Sequence, residues 1–104
     1  MRTFRVGMVE VKIGIYSNTA VTRDTVINYL ESLENEGWRL PGLNEIEYIQ
    51  SLYGIKGIDI GINNQGDYWI MEEQDFELSN CYDMFFCIKL KKEGNEIAGA
   101  IFVR

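Results

Sequence analysis

Two stretches of helical periodicity stand between runs of alternating residues, and that order constrains the fold more than any other feature of this chain. Before residue 17 and after residue 57 apolar residues recur at every second position; between residues 22 and 53 they recur every third or fourth. Period two marks a strand and a period near 3.6 marks a helix. Strand, helix, helix and then several strands is a segregated order, which predicts an α+β domain rather than repeated βαβ units. The 104 residues suit one domain. With 46% hydrophobic and 25% charged residues, the chain can bury a core without disulfides or metals.

Phe4, Val6 and Met8 alternate, and Val9, Val11, Ile13 and Ile15 continue in the opposite phase. A one-residue slip flips the face, so a bulge or two strands are expected. Ser17-Asn18-Thr19 reads as a turn. A helix is expected over Thr22–Glu36, with Val26, Ile27, Leu30 and Leu33 buried, Thr22 or Asp24 as cap and Gly37 at its left-handed end. A second helix carries Leu43, Ile46, Ile49 and Leu52 in line, with Tyr53 beside them. Glu45 and Glu47 fall in its first turn, where carboxylates suit the helix dipole, and Gly54 ends it. Ile58–Ile62 and Tyr68–Glu72 read as short strands joined by a turn, and Glu72–Asn80 as a polar loop. Met84, Phe86, Ile88 and Leu90 alternate with Phe85 and Cys87, which predicts one long central strand, apolar on both faces. Lys92-Glu93-Gly94-Asn95 is expected to turn that strand into a final hairpin partner over Ile97–Val103.

Composition excludes several classes of function. The net charge is −6, and only Lys89, Lys91 and Lys92 cluster among the ten cations. An acidic chain repels phosphate backbones, so no nucleic-acid partner is expected. The chain has no histidine, which removes the commonest general base and transition-metal ligand. Cys81 and Cys87 have no zinc spacing and read as two reduced thiols, although a turn between them would bring them closer. No run approaches the roughly 18 apolar residues of a membrane span, so no membrane partner is expected. Glu10 and Lys12 interrupt the apolar N-terminus where a signal peptide would need continuity. The expectation is a cytoplasmic protein; an exported parent whose signal was removed stays open.

Gly37-Trp38-Arg39-Leu40-Pro41 followed by Glu45-Ile46-Glu47-Tyr48-Ile49 resembles the "GWRLPTxxEL" signature of DUF1566-type domains, which include the Fibrobacter major paralogous domain. Val6–Val11 resembles the opening strand of that family, Tyr68–Glu73 its "YWSSSE" and Ile101–Arg104 its "VRxVR" ending. The resemblance spans nearly the whole chain in the right order. It implies a compact C-type-lectin-like domain over residues 1–104, two helices packed on a twisted, mainly antiparallel sheet, with the terminal strands adjacent. Two departures stand out. Gly42 replaces the capping Thr or Ser, and Ile70-Met71 replaces the serines. Trp38, Arg39, Leu40, Pro41 and Glu45 read as a structural motif, in which Trp38 fills the gap between helices and Arg39 pairs with Glu45 or Glu47.

No catalytic constellation, cofactor or metal is expected. Glu72, Glu73 and Asp75 beside Asp67 are candidates for a hard cation or a sugar, but a solvated acidic loop explains them more simply. Tyr53, Tyr68, Trp69 and Tyr82 are the better binding candidates, since so many large polar-tipped rings strain a small core. The alternative is that these rings line the core rim. The functional expectation is a non-catalytic binding module that presents a loop surface, Gln65–Tyr82, to a protein or glycan. The competing expectation is an assembly subunit that oligomerises through its terminal hairpin, Met84–Val103.

Overall fold

The computed structural model describes residues 2–53, 61–62, 66–71, 80–93 and 95–104. The N-terminal phase change resolves as two strands, β1 (Arg2–Val6) and β2 (Val9–Ile13). They pair antiparallel from Arg2↔Ile13 to Val6↔Val9. The two-residue link has positive φ at Gly7 alone, 61°. That is the pattern of a type II′ turn, whose twist suits a hairpin and which favours glycine at its first position. Val6, Val11 and Ile13 are buried, whereas Ile15 lies past the end of β2 and is exposed.

A short β3 (Val21–Thr22) leads into α1 (Arg23–Leu33), and one 3-10 turn follows at Glu34–Glu36. Thr22 is the cap: its Oγ1 accepts from the Thr25 amide at 3.5 Å and lies 3.0 Å from the Thr25 hydroxyl. Val26 and Leu33 are buried, as their spacing predicts. Ile27 stays at the surface; Tyr29 packs inward in its place, edge-on to Tyr16 and tilted against Phe102. Gly37 follows in the left-handed region, φ 81°. The second helix, α2, spans Leu43–Tyr53. It buries Ile46 and Ile49 and leaves Leu52 half exposed.

Strands β4 (Asp67–Ile70), β5 (Asn80–Asp83) and β6 (Ile88–Lys91) form an antiparallel sheet in that order. The last two, β7 (Ile97–Ala98) and β8 (Phe102–Val103), belong to other sheets: β7 pairs with β3, and β8 with β2. The terminal strands are therefore adjacent through β2 and β8. Gly99, between β7 and β8, joins β4: its amide donates to Asp67 O at 2.8 Å and its carbonyl accepts from Trp69 N at 2.9 Å. A Cβ at Gly99 would sit 3.0 Å from the Tyr68 ring and 3.2 Å from Tyr16 O, so this close approach needs glycine.

Residues 98–103 thereby become a seam with a core on each face. Ala98, Ala100 and Phe102 join Val26 and Leu33 of α1, together with Trp69 and Cys81. Ile101 and Val103 join Ile46 and Ile49 of α2, together with Tyr68, Ile70 and Tyr82. The alternation of a strand sends neighbours to opposite cores, so β4 and β5 are buried on both sides. The two helices serve different cores.

Two expectations change. The long strand through Met84–Leu90 is in fact a hairpin: β5 ends at Asp83, Met84–Cys87 is a turn, and β6 begins at Ile88. The Asp83 carboxylate accepts from the amides of Phe85 and Phe86, both at 2.9 Å, and its carbonyl accepts from Cys87 N at 2.8 Å. A local acceptor of this kind competes with a sheet ladder for those amides. The second change is at Lys92–Asn95, where a turn does occur but β6 and β7 do not pair, so Met84–Val103 is not one hairpin. Residues 58–60 of the expected strand, the turn at 63–65 and the loop at 72–79 lie outside the described residues, as do Gly54 and Gly94.

Candidate interaction surface

Three of the four aromatic residues that the sequence offered as a surface are core. Tyr68, Trp69 and Tyr82 are 1%, 0% and 2% exposed. A buried ring of this size usually finds a partner for its polar tip. Tyr68 donates its hydroxyl to the carbonyl of Ser17, and Trp69 donates Nε1 to Val21 O at 3.0 Å. Ser17 lies in the turns after β2 and Val21 on β3, 51 and 48 residues away in sequence. Burial, and then a hydrogen bond with Cys87, pushes the Tyr82 hydroxyl up to about 12. Asp67 is held by Lys92, whose Nζ lies 3.0 Å from Oδ2, and this hydrogen bond raises the lysine. Glu72, Glu73, Asp75 and the side chain of Tyr53 lie outside the described residues. Among the described residues no three His, Cys, Asp or Glu side chains are grouped to hold a metal.

The Trp38–Pro41 segment and Glu45 form a corner whose contacts hold the chain to itself. The Arg39 backbone bonds both ways with Val103, at 2.9 and 2.8 Å, and Pro41 O accepts from Met71 N at 2.9 Å. The Arg39 guanidinium meets Glu45 as a fork, Nη1–Oε1 at 2.6 Å and Nη2–Oε2 at 2.9 Å. Oε1 also accepts from Gly42 N at 2.9 Å. Gly42 has no capping oxygen of its own, and Glu45 three residues later supplies the reciprocal half of a capping box. The Arg39 hydrogen bond holds the Glu45 carboxyl below its usual range, aided by the Gly42 amide, and Glu45 in turn raises Arg39. Trp38 is buried between Lys12, 4.9 Å from the ring centre, and Arg104, at 4.2 Å. Beside this corner, Val6, Val9, Asn44, Glu45, Tyr48 and Ile49 line a shallow cleft of about 200 Å³.

Large apolar side chains are exposed singly at Met8, Ile15, Leu52 and Ile97, and together at the β5–β6 turn. Phe85, Phe86 and Ile88 are 59%, 68% and 50% exposed. The two rings stand edge-on, centres 4.9 Å apart and planes at 88°. Their backbone is fixed by the three hydrogen bonds to Asp83, and Cys87 closes the turn at φ 58°. A non-glycine residue in that region marks a backbone held by its surroundings. Cys87 is an exposed thiol, whereas Cys81 is buried and pushed up to about 12 by that burial. Sequence periodicity assigned Phe85 and Phe86 to a central strand. The signal that opposed it was Asp83, a turn-forming residue at the head of the apolar run.

No protein-family model, curated protein or solved structure matches this chain.

Proposed function

We propose that this chain is a non-catalytic interaction module whose contact surface is the β5–β6 tip. One observation carries the reading: three large apolar side chains, Phe85, Phe86 and Ile88, stand in solvent on a turn fixed by Asp83. Exposed aromatic pairs on rigid backbone make contact surfaces at low entropic cost. The tip takes over the role first assigned to Gln65–Tyr82, since the described aromatics of that stretch are core and Asp67 is paired. The C-type-lectin-like architecture belongs to the same proposal, supported by the ordered signature and by the corner that Arg39 and Glu45 build. The test compares what immobilised wild-type protein and the Phe85→Ser/Phe86→Ser variant retain from a native extract. The reading expects a retained fraction that the variant loses; equal retention, or background alone, overturns it.

A second reading, self-assembly, has one observation in its favour. Among the described residues β6 is the edge of its sheet. Lysines at 89 and 91 blunt such an edge against pairing. A dimer in light scattering that Lys91→Pro abolishes would support assembly; a monomer throughout would exclude it.

A further inference from the structure

We draw no further inference here: the strongest candidate, the apolar patch of Phe85, Phe86 and Ile88 on the β5–β6 turn, already carries the proposed function, and nothing in the structure shows what covers it.

Discussion

One sheet carries two pairs of adjacent aromatic residues, and they have opposite fates. Tyr68-Trp69 on β4 is sealed inside, although both rings carry a polar atom; Phe85-Phe86, wholly apolar, stands in water. Hydrophobicity alone would sort them the other way. Position decides instead. β4 lies between the two cores, next to the 98–103 seam, so alternate side chains enter opposite interiors whatever they are. The polar atoms are met by carbonyls of Ser17 and Val21. The tip lies beyond both cores, and the Asp83 carboxylate holds its backbone in a turn. Buried aromatic area builds a fold; the same area left outside is available for a partner.

Single truncations should separate the two pairs most widely. Trp69→Ala removes a fully buried ring and should cost about 3–5 kcal/mol. Phe86→Ala should stay within about 0.5 kcal/mol. Urea denaturation of both variants checks the contrast, and similar losses would break it. Tyr68→Phe sharpens it by deleting only the hydroxyl bonded to Ser17 O; the expected loss is about 1–2 kcal/mol. A neutral result would mean that the polar tip needs no partner.

In the corner the Arg39, Glu45 and Gly42 groups are matched, whereas Trp38 Nε1 is buried without a partner among the described residues. Glu45→Ala removes the fork to Arg39 and the Gly42 cap. With both side chains partly in water, the expected cost is about 1 kcal/mol. The Glu45 carboxyl titrates lower in the folded chain than unfolded. Its contribution is therefore full above the ordinary glutamate value and is lost as pH falls through the lower folded value. The stability gap between wild type and Glu45→Gln should hold from neutrality to about pH 5 and close below about pH 4. A gap that widens in acid would contradict the pairing.

Asn80 is the exception in the same strand pair. It is buried, and neither side-chain polar atom has a partner among the described residues. Asn80→Leu should raise stability by about 1 kcal/mol, read as a higher melting temperature. A destabilised variant would show that the amide is matched after all.

Much of the fold was legible. The N-terminal phase change and both helices follow from periodicity, while the motif left the partner of Arg39 open between Glu45 and Glu47, and the fork to Glu45 decides it. What was not legible depends on contacts distant in sequence. Nothing near Tyr68 or Trp69 announces that carbonyls about 50 residues earlier will meet them. Nor does local pattern show that residues 97–103 divide between β3, β4 and β2 instead of returning along β6. At the tip the difficulty was competition between two local signals. Alternation over Met84–Leu90 favoured a strand, while the Asp83 side chain favoured a turn, and its hydrogen bonds from two backbone amides settle it for the turn. Tyr68 and Trp69, expected at the surface, are instead the pair that the distant seam buries.

Hydroxyl-radical footprinting of the native protein, read by mass spectrometry at single residues, tests the opposite fates of the two pairs most directly. Phe85 and Phe86 should be oxidised about as fast as in the unfolded chain, while Trp69, intrinsically the more reactive ring, is protected until the protein unfolds. Rapid native oxidation of Trp69, or protection of both phenylalanines in the isolated monomer, would contradict the account.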